Sequence, residues 1–337
     1  MGLVFFKGPL SAEETVPEFL TAEAEAKQIV EYAAQADFAK AFKACDTLRA
    51  RYPDSPFGHV LSTFTYSIFI NYYKSTNYLD NLLQESKLAE DQLATLIKNK
   101  PEDKSYRFLM GGTLGYRGML EVAQGKILGA MATGIRAVDN LQFTIRKDPV
   151  IYDSYFGLSL FYFYRGYFSK VFSWIPAYND DQKKAYDYLM IARERGTLTR
   201  HEALFRFFSF SVIDKKWQGL ETWVHVEKDR FPRNMYLNYV LLDLYRDQEA
   251  WSKIPAIASD AIAILKREPL AGKSAYFMVN TRLAAAHLGM NKLAEADALL
   301  SNLEKQIPTL EPWANNSRYI DEVRKLRRDL KQKISKK

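Results

Sequence analysis

Side chains that commonly carry out chemistry are few in this chain of 337 residues, and their spacing fits no catalytic pattern. His201 and Glu202 begin a zinc-protease motif, but Phe205 stands where that motif needs its second histidine. The single cysteine, Cys45, has no cysteine-protease signature around it, and the sequence contains no Gly-x-Ser-x-Gly turn. The remaining histidines lie far apart, at His59, His225 and His287. We therefore predict no catalytic residue, no metal site, no cofactor and a protein that is not an enzyme.

A glycine-rich segment is the one place where phosphate binding has to be considered. It contains Gly111, Gly112, Gly115 and Gly118. It matches neither the dinucleotide-binding fingerprint nor the phosphate-binding loop that ends in Lys-Ser or Lys-Thr, and no strand is predicted before it. Glycine disfavours a helix by roughly 1 kcal/mol relative to alanine. We therefore predict that Leu109–Leu120 is an inner helix, with glycines that allow a neighbouring backbone to approach closely.

Aromatic side chains are concentrated between Tyr152 and Tyr178, and at helical spacing they separate into two faces. The apolar face contains Phe156, Leu160, Phe163 and Tyr167, and the face with polar tips contains Tyr155, Ser159, Tyr162 and Arg165. Tyrosine and arginine combine large contact areas with polar groups and are common in binding hot spots. The polar face is therefore the first candidate surface for a protein partner. Aromatic residues at this spacing also occur as ordinary core.

The helices that must position these residues follow a repeated pattern. Pro53 is preceded by Ala41, Cys45 and Leu48 at distances of 12, 8 and 5 residues. The same pattern precedes Pro101, Pro149, Thr197, Pro232, Pro269 and Pro308. Offsets of four and three residues place three positions on one face of a helix, and proline stops the helix. These endings are 48 residues apart three times and then 35, 37 and 39 residues apart, a spacing typical of stacked helical pairs.

With this pattern the chain resembles the tetratricopeptide-repeat superfamily. The unit of that superfamily has an aromatic residue, then a small residue three positions later, and a proline at its end. Phe38, Ala41 and Pro53 keep this order in the first unit, Trp217 and Pro232 in the fifth, and Ala284, Leu293, Ala296 and Pro308 in the last. The first four units are longer than the usual repeat of 34 residues by about a dozen residues.

The resemblance implies a concave groove, lined by the first helix of each pair, that binds a peptide or protein segment. On the first helices of the last two units it makes four further residues candidates for partner binding: Asn238, Arg246, Asn280 and Arg282. Their spacing does not repeat from unit to unit as a clamp for a terminal carboxylate requires.

We therefore expect an all-α fold, a right-handed superhelical array (solenoid) of about seven antiparallel helical hairpins with a C-terminal capping helix. Residues 1–15 are expected to be an N-terminal extension, 16–197 four long hairpins, 198–308 three shorter hairpins, and 309–337 the basic amphipathic cap.

Charge is concentrated at the C-terminal end of the chain. The net charge is +7, but residues 318–337 contain nine Lys or Arg and three Asp or Glu, which leaves +1 for the rest. The body of the protein therefore lacks the basic surface that nucleic-acid binding requires. The tail has apolar residues every three or four positions, at Ile320, Val323, Leu326, Leu330 and Ile334. We expect it to cover the last hairpin, and the alternative is a helix that binds anionic lipid or an acidic partner.

These observations favour a non-enzymatic scaffold or adaptor that binds a peptide or protein segment in its groove. Two alternatives remain: a carrier for an apolar small molecule or lipid in the aromatic centre, and a helical-toroid enzyme with two carboxylates in a shared cleft. No run of about 18 apolar residues suggests a membrane span. The sequence as it stands fits the cytoplasm, but Leu10-Ser11-Ala12 before Glu13 resembles the end of a signal peptide, which predicts an exported or periplasmic protein if the start is incomplete.

Overall fold

A computed structural model describes residues 22–169, 180–313 and 316–335 of the chain, and within these residues the regular structure is entirely helical. The α-helices are α1 (Glu23–Ala34), α2 (Phe38–Arg51), α3 (Phe57–Tyr73), α4 (Leu79–Asn99), α5 (Lys104–Ala123), α6 (Ile127–Lys147), α7 (Ser154–Ser169), α8 (Asp181–Arg195), α9 (Arg200–Ile213), α10 (Leu220–Arg230), α11 (Met235–Asp247), α12 (Ile254–Lys266), α13 (Lys273–Gly289), α14 (Leu293–Gln306) and α15 (Asn316–Ser335). Short 3₁₀ turns occupy Trp251–Lys253 and Ile307–Thr309. The all-α prediction is confirmed.

The repeated pattern correctly predicted where the even-numbered helices end. Each helix from α2 to α14 with an even number stops two or three residues before one of the seven predicted endings. Almost all of the three apolar positions in each copy are buried, and only Leu96 and Ile264 keep a partly accessible surface. Proline and the buried stripe are therefore local signals that determined these helix ends and faces.

Odd-numbered and even-numbered helices have different surroundings. Helices that follow each other in the chain pack together, and most odd-numbered helices also contact the next odd-numbered one, for example α3 with α5 and α11 with α13. α3 and α11 are buried around most of their circumference, whereas α4 buries only Leu82, Ser86, Ala89 and Leu93. The odd-numbered helices thus form the inner part of the molecule.

The C-terminal end of α3 lies against residues that come much later in the chain. Asn234 caps α11 by accepting a hydrogen bond from the Tyr236 backbone, and its side-chain amide donates to the Tyr72 hydroxyl at 2.6 Å. Trp313 donates from its indole to the Lys74 carbonyl at 2.9 Å. Gly272 donates its backbone N–H to the Tyr73 carbonyl at 2.9 Å. These contacts close the interior between α3, α11 and α13, where the sequence predicted an open groove.

Gly272 is required at this closure. A Cβ atom there would lie 2.0 Å from the Lys74 carbonyl oxygen, a distance that only a shift of the backbone can relieve. Here a glycine allows two chain segments to come closer than any other residue permits.

The C-terminal helix α15 packs against both α13 and α14. It buries Tyr319, Val323 and Leu330 beside Phe277 and Leu300, while Ile334 stays exposed. The expected N-terminal extension at residues 1–15 and the aromatic residues Phe172, Trp174 and Tyr178 lie outside the described residues. Among the helices that are described, none combines the length and the apolar character needed to cross a membrane.

Candidate functional site

The predicted polar face of α7 is only partly accessible. Tyr155 and Tyr162 are half-buried, but Ser159 is fully buried and its hydroxyl donates to the Phe156 carbonyl at 2.6 Å. Tyr188 of α8 joins the two tyrosines, with ring centroids 5.0 Å from Tyr155 and 5.8 Å from Tyr162. We call Tyr155, Tyr162 and Tyr188 the tyrosine surface. Ser159 does not belong to it.

Cationic groups border the tyrosine surface. Arg165 pairs with Asp181 through two hydrogen bonds, of 2.7 and 2.6 Å, and its guanidinium lies 5.2 Å from the Tyr162 ring centroid. Lys184 is exposed, forms no ion pair with a described residue, and has its ammonium 5.6 Å from the same centroid. Gln142 donates weakly to the Tyr162 hydroxyl at 3.4 Å. Arg165 is therefore committed to Asp181, and Lys184 is the cation available to a partner.

The second group of predicted binding residues lies where the interior is closed. Asn238 is 0% exposed and donates to the Asn234 carbonyl. Arg282 is 2% exposed, its Nε donates to Asp243 at 2.8 Å, and its Nη1 pairs with Glu322. Burial alone raises the pKa of Asp243, but the charges of Arg282, Arg318 and Arg246 and the hydrogen bond from Arg282 together outweigh it and hold that pKa below its usual value. Arg282 joins α13 to α11 and α15, whereas Asn238 bonds within its own helix, and both are too buried to belong to the binding surface.

Two other members of that group keep some accessible surface. Arg246 pairs with Asp247 at 2.6 Å and lies 3.9 Å from Glu322. Asn280 is half-buried. We expected these four residues to line an open groove. They do not, because α3 packs against α11 and α15 packs against α13, so other parts of the protein occupy that space.

An apolar cavity of about 70 Å³ lies between the inner helices. Its wall comes mainly from α3, α5 and α7, and includes Phe64, Gly112, Gly115, Tyr116, Leu160 and Thr199. The carrier alternative placed a ligand in the aromatic centre, but the cavity involves that segment only through Asp153, Phe156, Gly157 and Leu160.

The glycines of α5 have two different roles. At Gly111 a Cβ would lie 2.6 Å from the Leu141 Cγ atom and 3.1 Å from the Ala137 carbonyl oxygen, so the expected close approach is found there. At Gly112 and Gly115 a Cβ would meet nothing within 4 Å. These two glycines leave space in the cavity wall. The sequence predicted a close approach for them as well, and the structure shows none.

Two charged residues of α9 are buried without pairing to each other. Glu202 is 5% exposed, and no hydrogen bond or ion pair joins it to another described residue. Arg206 is 8% exposed; its Nη1 donates to the Tyr236 hydroxyl at 3.2 Å, and its Nε has no hydrogen-bond partner. Burial raises the pKa of Glu202 to about 7, against the opposing charge of Arg206. Burial also lowers the pKa of Lys74 to about 8, helped by the same arginine.

A second carboxylate near the cavity, Asp153, has a structural role. Its Oδ1 accepts hydrogen bonds from the backbone N–H groups of Leu198 and Thr199 at 2.9 and 2.8 Å and from the Thr199 hydroxyl at 2.7 Å. Its Oδ2 accepts from the Thr197 N–H at 3.1 Å. Asp153 thus holds the start of α9, and Glu202 is the unpaired acid of this region.

The sequence pattern did not single out Glu202 and Arg206, although Glu202 directly precedes the apolar run from Ala203 to Phe208 and Arg206 interrupts it. Among the residues that the structure describes, no three His, Cys, Asp or Glu side chains come together as metal ligands. No model of a known protein family matches the sequence, and no characterised protein is significantly similar to it. The tyrosine surface is therefore the accessible group of residues from which a function can be inferred.

Proposed function

We propose that this protein is a non-enzymatic binding protein of the tetratricopeptide-repeat type, a right-handed array of helical pairs that binds a segment of a protein partner at the tyrosine surface. The alternation of inner and outer helices, with contacts between successive inner helices, supports the repeat architecture. The observation that carries the binding role is the group of three half-buried tyrosines, in which Tyr188 contacts the other two and Tyr162 borders an exposed lysine.

The tyrosine surface has the properties of a binding hot spot. Tyrosine rings lose little conformational entropy on binding because their side chains have few rotatable bonds, and here they are already ordered by ring contacts. Lys184 adds a positive charge that no described acidic residue neutralises. We therefore propose that the partner segment has an aromatic or apolar side chain next to an acidic one.

Affinity capture with matched variants tests this function. The test variants are Tyr162→Ala and, made separately, Lys184→Ala. The control is Tyr32→Ala, because Lys40 lies 5.6 Å from the Tyr32 ring just as Lys184 lies 5.6 Å from the Tyr162 ring. We expect a partner captured by the wild type and by Tyr32→Ala to be lost with Tyr162→Ala and weakened with Lys184→Ala.

Circular dichroism of each variant shows whether the fold is kept. If folded Tyr162→Ala and Lys184→Ala retain every partner of the wild type, the tyrosine surface is not the binding site. A synthetic peptide from the captured partner, with its acidic residue replaced by the corresponding amide, then tests the charge preference directly.

A further inference from the structure

The apolar cavity is enclosed by four successive inner helices. Val30 of α1, Phe64 of α3, Leu109 of α5 and Leu160 of α7 each form part of its wall. The wall is almost entirely apolar, and the cavity is partly open to the surface. A small molecule that enters it is therefore surrounded by apolar side chains from four helices.

Few polar groups of the wall are left to bind water. Asp153 and Thr199 both line the cavity, and they bond to each other, with the Thr199 hydroxyl donating to Asp153 at 2.7 Å. Asp153 also accepts from the backbone N–H groups of Leu198 and Thr199, at 2.9 and 2.8 Å. An ordered water needs about two to four polar partners, and an apolar cavity that lacks them stays dry. The wall therefore favours an apolar occupant over water.

Gly112 and Gly115 leave part of this space free. They lie three residues apart on one face of α5, and a Cβ atom at either position would meet nothing within 4 Å. Neither has a positive φ, so the backbone does not require glycine there. Alanine would favour the helix and would reduce an unfilled volume that lowers stability in proportion to its size. The sequence thus keeps a space that ordinary packing would close.

We propose that this cavity binds a small aliphatic molecule and that Gly112 and Gly115 keep the space open for it. An apolar cavity of about 150 Å³ accommodates benzene, and the volume here is about half of that, 70 Å³. The site therefore fits an aliphatic group of about three carbons. Binding is driven by the removal of apolar surface from water and by dispersion contacts with the walls. None of the three residues of the tyrosine surface lines the cavity, so this site does not depend on the function proposed for that surface.

NMR spectra of the methyl groups of the full chain, recorded under increasing pressures of propane, test the proposal. We expect the resonances of Met119 and Leu160, which line the cavity, to shift and to saturate. The resonance of Leu300, in the C-terminal core, should stay unchanged. Xenon should act like propane, whereas benzene, which needs about twice the volume, should shift none of the three resonances.

Two glycine variants show whether the space at α5 is the binding site. Gly115→Ala places a methyl group in the cavity and should weaken propane binding about tenfold or more. Gly134→Ala is the matched control, because a Cβ at that helical position also meets nothing within 4 Å and the residue is not part of the wall. Both variants should keep the circular dichroism of the wild type, since neither introduces a clash.

Three results would overturn the proposal. These are the absence of a saturable shift in the wild type, equal propane affinities for Gly115→Ala and Gly134→Ala, and binding of benzene as tight as that of propane.

Discussion

The interior has a filled half and an unfilled half, and each contains a buried arginine. In the filled half, between α11, α13 and α15, Arg282 pairs with Asp243 and Glu322. In the unfilled half, an apolar cavity lies between α3, α5 and α7, and on α9 Arg206 donates to the Tyr236 hydroxyl while Glu202 pairs with no described residue. Burial is almost equal, so burial alone does not distinguish the two arginines. What differs is the partner, because Arg282 pairs with two carboxylates and Arg206 donates to a hydroxyl group.

Replacing each arginine by methionine is expected to give the largest difference in the free energy of unfolding between the two halves. Arg282→Met leaves two acidic groups without their partner and should lower the free energy of unfolding by about 3–5 kcal/mol. Arg206→Met removes a charge that no carboxylate compensates, so it should change the free energy of unfolding by less than about 1 kcal/mol or increase it. Urea unfolding measures both. Equal losses would mean that the two arginines are equivalent and that the comparison fails.

The next effect concerns pH and Glu202. Its pKa is about 7 in the folded protein and 4.5 ordinarily, so the folded state holds the proton more tightly than the unfolded state. The corresponding stability is fully present below about pH 4.5 and is lost as pH rises through 7. Relative to Glu202→Gln, which cannot ionise, the wild type should lose about 2.5 kcal/mol between pH 5 and pH 8.

Taking the difference between the two proteins removes the contributions of other groups, such as His201 and His287, whose pKa values burial lowers. A difference that stays constant over this pH range would show that Glu202 is already ionised at pH 5, and hence that it has a partner.

The smallest effect compares two glycines of α5. Gly115→Ala adds a methyl group in free space and should raise the free energy of unfolding by up to about 1 kcal/mol, since alanine favours the helix. Gly111→Ala should lower it by about 1–3 kcal/mol, because the Cβ would meet Leu141 and the Ala137 carbonyl. Thermal unfolding of both variants checks this. If Gly115→Ala is also destabilising, the cavity is not empty space in the ligand-free protein.

The helices could be predicted from the sequence because their signals are local. Pro53, Pro101 and the equivalent positions stop helices wherever they occur, and the spacing of Ala41, Cys45 and Leu48 identifies a buried face without knowledge of what covers it. The same reasoning predicted the glycine contact at Gly111, since a close approach is one of the few reasons to keep glycine in a helix.

The sites could not be predicted in the same way because they depend on which helices meet that are distant in the chain. Asn238 and Arg282 had the right residue types on the right helices, but both are buried, and Arg282 is held there by ion pairs with Asp243 of α11 and Glu322 of α15. The spacing of Glu202 and Arg206 indicates a shared helix face, and nothing in the sequence shows that no acid reaches that arginine. Tyr188 is three residues after Ala185 on α8, and its place beside α7 depends on the packing of the two helices.

The hydrogen bond from Trp313 to the Lys74 carbonyl joins residues that are 239 positions apart in the chain. During synthesis at about 5–20 residues per second, the end of α3 therefore waits roughly ten to fifty seconds for this donor to leave the ribosome. Arrays that contact only adjacent repeats complete each unit as it emerges. Here the second helical pair gains its contact with Trp313 only when nearly the whole chain has been synthesised.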